Sequence, residues 1–135
     1  MIVETEAYSQ EEEACHGYLK MTPSNKSLFG EPGTLYVYKS YGIHHCLNIV
    51  TDKENFASGV LIRAVFINKK NERLASGPGL VTKTFGIDIS FDSFEILNNN
   101  SLWISQRESI VEKADIMQTT RIGISKAKNI KWRWY

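Results

Sequence analysis

Residues 2–8 read Ile-Val-Glu-Thr-Glu-Ala-Tyr, and the alternation of side chains in this stretch predicts a β-strand. Side chains of a strand point to opposite faces in turn, so Glu4, Glu6 and Tyr8 share one face with Ile2. Two carboxylates and a phenol on one face cost solvation free energy unless that face is wet. A carboxylate beside an aromatic ring in a cleft is a candidate general base, and a solvated edge strand is the open alternative.

The rest of the chain predicts further short strands with one or two short helices. The predicted strands are 34–38, 43–50, 60–67, 102–104, 120–124 and 131–135. One helix is expected to begin at Ser76, as its cap, and to end at Gly86, and another is expected over 88–97. Strands dominate, so we expect an α+β fold, a single domain over 1–135 built on a mainly antiparallel sheet.

Composition limits the class of protein. The 135 residues are 42% hydrophobic and 23% charged, as in a globular domain, and the net charge of +1 neither requires nor excludes nucleic acid. Cys15 and Cys46 are too few for a disulfide framework and indicate reduced thiols in a cytoplasmic or nuclear protein. No apolar run predicts a membrane span. His16, His44 and His45 lack ligand spacing with these cysteines, so no metal is expected.

A hairpin is predicted around Tyr41. Tyr36, Tyr38 and Tyr41 crowd into six residues, and the preference of aromatic residues for strands explains Tyr36 well. It explains Tyr41 poorly, because a large ring beside Gly42 at a hairpin tip is exposed. Such a ring is suited to act as a wedge between stacked bases.

The strand that returns from this hairpin carries polar side chains on one face. His44, Cys46 and Asn48 share that face, since they are two residues apart. If the turn centres on Tyr41, Tyr38 faces the same side. These side chains could therefore form a polar pocket with a stacking ring.

Two further features admit both a structural and a functional interpretation. Arg63 lies in an apolar strand, where it needs a salt bridge, with Glu6 as a candidate partner, or serves as an anchor beside a catalytic water or a phosphate. The stretch Ser76-Gly77-Pro78-Gly79 at a predicted helix start is either a helix cap or a seat for a phosphate.

Taken together, the motifs resemble the alkyladenine (3-methyladenine, N-methylpurine) DNA glycosylases. The stretches that carry the resemblance are 3–8, 32–38 with 41–42, 47–49, 60–64, 76–79, 90–92 and 121–123. They occur in the family's order and cover nearly the whole chain. Their joint occurrence is specific, whereas any one of them alone would be weak.

The resemblance implies a monomeric base excision repair enzyme, without a cofactor, that flips damaged purines out of double-stranded DNA. It would hydrolyse the N-glycosidic bond of alkylated or deaminated purines, such as 3-methyladenine, hypoxanthine and ethenoadenine, and leave the abasic site uncut. Glu6 matches the general base and Arg63 an arginine near the reacting centre. The other implied roles are base pocket for Tyr8, His16, Tyr38 and Asn48, DNA intercalation for Tyr41, and phosphate contact for Ser76, Gly77 and Gly79.

The chain also departs from the family's pattern. It begins almost on the first strand, ends before the family's usual last strand, and is short between Ala64 and Ser76. Leu80 stands where many members have a lysine. We therefore expect a shortened glycosylase domain. The alternatives are a catalytically incompetent remnant that binds lesions in DNA, and an unrelated small β-rich binding module.

Overall fold

A six-stranded sheet forms the centre of the computed structural model, which describes residues 1–67, 75–98, 100–107 and 110–135. The strands are β1 (Ile2–Ser9), β2 (Leu35–Ser40), β3 (His44–Val50), β4 (Ser58–Val65), β5 (Gln118–Thr119) and β6 (Arg133–Trp134). Their order is β2-β3-β4-β1-β6-β5, and every neighbouring pair is antiparallel. The helix α1 (Pro78–Phe85) packs on β3 and β4, so the predicted α+β class is confirmed.

The two faces of the sheet bury different kinds of side chains. On one face, Leu35 and Val37 of β2 pack with Ile62 of β4 and Val81 of α1 in an apolar core. The alternate residue Tyr36 points the other way and joins a second cluster beneath the loop that follows β1. The period of two therefore separates an apolar face covered by the helix from a face rich in aromatic and polar groups.

The boundaries of α1 agree with the sequence at its end and differ at its start. Gly86 ends the helix in the left-handed conformation, with φ of 66°, and its N–H donates to the Thr82 carbonyl, as predicted. The cap is Gly77 and not Ser76, so that prediction is wrong. Gly77 has φ of 123°, which a residue with a Cβ rarely adopts, and it precedes the proline that opens the helix.

The predicted helix over 88–97 is wrong, because this segment hydrogen-bonds to the edge of β2. It contains two 3₁₀ turns, Ile89–Phe91 and Ile96–Asn98, with Ser93 between them at φ of 68°. The Leu35 N–H donates to the Phe94 carbonyl at 2.7 Å, and the Ser93 N–H donates to the Leu35 carbonyl at 2.9 Å. The segment satisfies backbone groups that an open edge strand would leave unpaired.

Two of the predicted late strands also need correction. Residues 102–104 form no strand, and Trp103 is largely exposed. The strand predicted over 120–124 is displaced: β5 covers Gln118–Thr119 instead. Arg121 and Ile122 do not join it, because they hydrogen-bond to side chains of β1 and its following loop. The strand predicted over 131–135 is confirmed in its centre as β6.

Two further expectations concern membrane spans and the shortened segment after β4. Within the described ranges, no helix combines the length and the apolar character that crossing a bilayer requires. The expected shortening between Ala64 and Ser76 falls largely on residues 68–74, which lie outside the described residues.

Candidate active site

The Glu6 carboxylate is fully buried and accepts three hydrogen bonds. Its Oε2 accepts from the Tyr8 hydroxyl at 2.9 Å and from Nη1 of Arg63 at 3.2 Å. Its Oε1 accepts from the backbone N–H of Ile122 at 2.7 Å. Hydrogen bonds to both oxygens stabilise the charged form, which offsets the cost of burying a carboxylate.

Arg63 is directed toward Glu6 by a second carboxylate and by an irregularity of the sheet. Its Nε donates to Oε1 of Glu4 at 2.9 Å, and the same oxygen accepts from Nε of Arg133 at 2.6 Å. Glu4 pairs with Ala64 while Thr5 pairs with Ile62, so Arg63 is the extra residue of a β-bulge. The two arginines, through hydrogen bonds and charge, outweigh the effect of burial and lower the pKa of Glu4. The salt bridge predicted for Arg63 is present.

A cavity of about 510 Å³ opens on the polar face of the sheet, within the size range of small-molecule sites. It is lined in part by Tyr8, His16, Tyr36, Tyr38, Tyr41 and Asn48. Arg63 and Ile122 also line it, whereas Glu6 lies one layer behind them. The structure thus brings Tyr8, His16, Tyr38, Asn48, Arg63 and Tyr41 to one cavity, with Glu6 held by groups of its wall.

Three rings form one wall of this cavity. Tyr36 and Tyr38 stack with centroids 5.2 Å apart, and the His16 ring meets Tyr38 edge-on at 4.5 Å. Nδ1 of His16 and the Tyr36 hydroxyl are 2.8 Å apart, within hydrogen-bond distance. Partial burial of the ring lowers the pKa of His16, so the neutral form predominates at pH 7, although the residue as a whole is exposed. Such a wall offers flat, uncharged surfaces for stacking a planar ligand.

The Tyr8 hydroxyl remains a donor to Glu6 across the physiological pH range. Burial raises the pKa of Tyr8, and the charge of Glu6 and the hydrogen bond to it raise it further. One face of the Tyr8 ring is covered by the guanidinium of Arg121, whose central carbon lies 4.6 Å from the ring centroid. Tyr8 therefore links the buried carboxylate to the cavity wall.

Asn48 is buried in the floor of the cavity. It pairs with Tyr36 across β2 and β3, and its Nδ2 donates to the Tyr36 carbonyl at 3.1 Å. Cys46, one of the residues predicted to share its face, also lines the cavity, whereas His44 lies against Gly79 of α1. The amide is thus held in a fixed orientation by the sheet itself.

Tyr41 is at the tip of the β2–β3 hairpin, as predicted, and its ring is 89% exposed. The turn places Tyr41 at φ of 50° and Gly42 at φ of 68°, and the Ile43 N–H donates to the Ser40 carbonyl at 3.0 Å. A left-handed conformation is uncommon for a residue with a side chain. The ring stands at the rim of the cavity on a tight, hydrogen-bonded turn.

The predicted phosphate-contact residues lie at the start of α1, beside the cavity. The Gly77 N–H already donates to the Arg63 carbonyl at 2.8 Å, and Ser76 forms a bridge with Ala64. A Cβ on Gly79 would come within 2.8 Å of His44, so this glycine permits close packing of the hairpin on the helix. Phosphate contact by Ser76, Gly77 and Gly79 stays a prediction.

The sequence reasoning missed four contributors to the site. One is Tyr36, which was attributed to strand preference but lines the cavity. The Ile122 backbone N–H contacts Glu6 from 116 positions along the chain, and no local pattern marks it. Arg121 and Glu12 form a buried pair with Nη–Oε distances of 2.6 and 2.8 Å. Burial opposes the charge of Arg121, but its hydrogen bonds with Glu12 raise its pKa. The triplet Glu11-Glu12-Glu13 looks like a solvated run, which concealed the buried member.

No group of three or more His, Cys, Asp or Glu side chains that could hold a metal occurs in the part of the chain that the structure describes. The cavity wall and the groups behind it supply a carboxylate, an arginine, an imidazole, phenols and an amide. That set can orient water and hold a flat ring.

Comparison with known proteins gives a consistent result. The family model described as methylpurine-DNA glycosylase matches residues 1–135. A protein of Trichodesmium erythraeum (strain IMS101) is 42% identical over 99% of this chain and 75% of its own length. One from Synechococcus sp. (strain JA-3-3Ab) is 42% identical, and one from Carboxydothermus hydrogenoformans 41%, each over 99% of this chain and 76% of its own length. Each of the three is named "Putative 3-methyladenine DNA glycosylase".

Proposed function

We propose a function from the premise that this chain belongs to the methylpurine-DNA glycosylase family, whose model matches residues 1–135. The chain is a DNA glycosylase whose substrate is double-stranded DNA containing an alkylated or deaminated purine. It hydrolyses the N-glycosidic bond of 3-methyladenine, hypoxanthine or ethenoadenine. It acts without cleaving the abasic site and as a monomer, over a single domain spanning 1–135.

One observation carries the proposal. A buried carboxylate, Glu6, is bonded directly to Tyr8 and Arg63, and both of these line an aromatic cavity beside the exposed ring of Tyr41. A base, an aromatic slot and a wedge are the three parts that removing a flipped base requires. Their proximity supports the proposal more strongly than any one of them.

The proposed binding step uses the hairpin and the ring wall. Tyr41 enters the base stack and fills the gap that the extruded nucleotide leaves. The purine then stacks against Tyr8 and the ring wall of His16 and Tyr38. In this proposal Asn48 crowds the 2-amino group of a purine, which disfavours guanine. Electron-rich rings favour a cationic alkylated purine, whose charge also makes it a good leaving group.

The proposed chemical step is a hydrolysis. The bond between C1′ of the deoxyribose and the purine nitrogen breaks, the electron pair leaves with the base, and water oxygen bonds to C1′. A cationic alkylated purine leaves as a neutral base, whereas a neutral lesion leaves as an anion that takes a proton from solvent water. Glu6 takes the proton from that water, and Arg63 holds the carboxylate in place. The donors that surround Glu6 hold its carboxylate in a fixed position beside the cavity wall.

The burial of Glu6 favours a second candidate, lesion binding without hydrolysis. The carboxylate has no exposed surface, and three protein groups already occupy its oxygens. Water must reach one of these oxygens for catalysis. A chain in which that access never opens would flip and hold a lesion without releasing it.

The decisive experiment uses a duplex with one ethenoadenine or one hypoxanthine, incubated with the protein and then treated with alkali. The parent should cause cleavage at the lesion after alkali and none before it. Glu6→Gln should lower the single-turnover rate by about 10²–10⁴-fold, the usual contribution of a general base. Glu11→Gln, an exposed carboxylate in the loop after β1, is the matched control and should leave the rate unchanged.

The outcomes separate the two candidates. Lesion-selective binding by the parent without any release supports the second candidate and overturns the first. Equal rates for the parent and Glu6→Gln would show that Glu6 is not the base.

A further inference from the structure

The ion pair of Glu12 and Arg121 lies behind the cavity wall and has no part in the proposed hydrolysis. The Arg121 side chain is completely buried, and the Glu12 side chain is 6% exposed. Nη1 of Arg121 also donates to the Ala7 carbonyl at 2.9 Å. The pair therefore joins β1, the loop after β1 and the segment before β6 at one point.

The charge of Arg121 is directed at an aromatic ring. Its guanidinium carbon lies 4.6 Å from the centroid of Tyr8 and 5.5 Å from that of Trp132. Tyr8 lines the cavity, and Arg121 does not. The cation therefore lies against one face of a ring that lines the cavity, while it is not itself part of the cavity lining.

The geometry around Arg121 is not what stability alone would select. Its Nε has no hydrogen-bond partner among the described residues, although it is buried. Such an N–H costs folding free energy, and apolar side chains of similar volume commonly replace a buried ion pair without loss. The arrangement does, however, place a balanced pair of charges directly behind one stacking surface.

We propose that the Glu12–Arg121 pair sets how strongly the cavity prefers a positively charged purine over a neutral one, acting through the ring of Tyr8. The inference rests on the proposed function, because it takes the cavity to be where the flipped base stacks. Glu12 and Arg121 are specificity-determining residues in this proposal and not catalytic residues, since neither reaches the base.

The physical basis is the response of one ring to two cations. A cation over a ring is attracted by the electron density of its face. The positive charge of Arg121 attracts the π-electron density of Tyr8 toward itself. The negative charge of Glu12 partly cancels this effect by neutralising the guanidinium. Removing the negative partner leaves an unbalanced cation behind Tyr8, which opposes a second cation on the cavity side. A neutral purine of the same shape is affected far less.

The test compares binding of two flipped bases that have the same shape and differ in charge. One duplex carries 7-methyladenine, a cation, on a 2′-fluoro sugar that slows loss of the base. The other carries 7-methyl-7-deazaadenine, which is neutral, on the same sugar. The ratio of the two dissociation constants is measured for the parent, Glu12→Gln, Arg121→Lys and the double variant Glu12→Gln/Arg121→Met, each checked for folding by its circular dichroism.

Glu12→Gln should shift the ratio against the cation by about fivefold, the factor that a fraction of one cation–π contact represents. The double variant, which is neutral behind Tyr8, should shift it toward the cation. Arg121→Lys keeps the charge, so its ratio should stay near that of the parent even if both affinities fall. If the double variant does not fold, the comparison of Arg121→Lys with Glu12→Gln is sufficient to test the proposal.

The results discriminate clearly. If both affinities fall in parallel and the ratio is constant across the folded variants, the pair is structural and the inference is overturned. A ratio that shifts toward the cation in Glu12→Gln also overturns it. Because binding is measured without hydrolysis, these outcomes are independent of whether Glu6 acts as a base.

Discussion

The buried centre formed by Glu4, Glu6 and Arg63 differs from the hairpin tip in almost every physical respect, although Arg63 and Tyr41 line the same cavity. Glu6 has no exposed surface, and its carboxylate oxygens accept from a side-chain hydroxyl, a guanidinium and a backbone N–H. Tyr41 is 89% exposed, and an added Cβ on the neighbouring Gly42 would meet nothing within 4 Å. The centre is fixed by its partners, whereas the tip is fixed only by its own backbone.

The difference between the buried centre and the exposed tip matches the different requirements of the proposed chemistry and the proposed DNA insertion. Chemistry on a flipped base needs groups held in a set geometry before the substrate arrives, which buried and mutually bonded charges provide. Insertion into DNA needs a ring free of contacts with its own protein. We therefore expect changes at the centre to affect folding and activity together, and changes at the tip to affect DNA binding alone.

The largest effect should come from breaking the centre. Arg63→Met removes a cation that pairs with both Glu4 and Glu6. Glu4 keeps its ion pair with Arg133, whereas the buried Glu6 carboxylate is left with neutral donors. Loss of one side of a buried ion pair costs about 3–5 kcal/mol of unfolding free energy. Urea denaturation of the parent and the variant measures this difference. Lys39→Met, at an exposed position near the hairpin tip, is the control and should change stability by less than about 0.5 kcal/mol.

If Arg63→Met were as stable as the control, the centre would not be the rigid element of the site. The contrast with the hairpin tip would then be one of exposure only.

The tip should show the opposite behaviour. Tyr41→Ala removes a largely exposed ring, so unfolding free energy should change by less than about 0.5 kcal/mol. Affinity for a lesion-containing duplex should fall by about 1–3 kcal/mol, the range for one base–aromatic stack. Fluorescence anisotropy with a labelled duplex measures it. Tyr18→Ala, another exposed tyrosine, serves as the control.

Unchanged lesion affinity in Tyr41→Ala would show that Tyr41 is not the intercalating residue. It would not contradict the proposed role of the cavity. A large loss of stability would instead show that the tip is part of the folded core.

The smallest effect concerns the ring wall between these two regions. Burial lowers the pKa of His16, so the unfolded chain binds a proton at His16 more readily than the folded chain does. Stability from the neutral ring is complete above pH of about 6.5, the ordinary value for His, and is lost as pH falls below it. The contribution to the slope is well below the one-proton limit of about 1.4 kcal/mol per pH unit, because His16 is exposed as a residue and solvent screens its charge.

Urea denaturation between pH 5 and pH 8 tests the predicted pH dependence of stability. This range is chosen because it spans the ordinary His pKa of about 6.5. His16→Gln removes the titrating group, so its stability should depend less on pH than that of the parent. Equal slopes would mean that His16 is as accessible to protons as a residue at the hairpin tip.

Much of the sheet and the aromatic wall follow from local pattern. Alternation over 2–8 places Glu6 and Tyr8 on one face, and the hairpin around Tyr41 aligns Tyr38 with Cys46 and Asn48, as the pairing confirms. The period of two determines which face each residue occupies, and this does not depend on distant parts of the chain. The class of fold and the cavity-facing residues of β1 to β3 were therefore predictable.

The later part of the chain was harder to predict, since its conformation depends on what it covers. A helix was predicted over 88–97, yet the backbone of this segment hydrogen-bonds to Leu35 at the edge of β2. Arg121 and Ile122 have the pattern of a short strand, yet they extend their hydrogen bonds to Glu12 and Glu6. In each case the conformation follows from hydrogen bonds to a distant part of the chain, which no local pattern specifies.

The sequence by itself determined the alternating strands, the exposed ring at the hairpin tip and the placing of a carboxylate next to a phenol, because all three arise between residues a few positions apart. Only the tertiary structure decided that Arg63 lies at a bulge facing Glu6, that Ile122 donates to it, and that Glu12 is buried against Arg121. These contacts join distant segments, and their energies depend on burial, which no local pattern specifies.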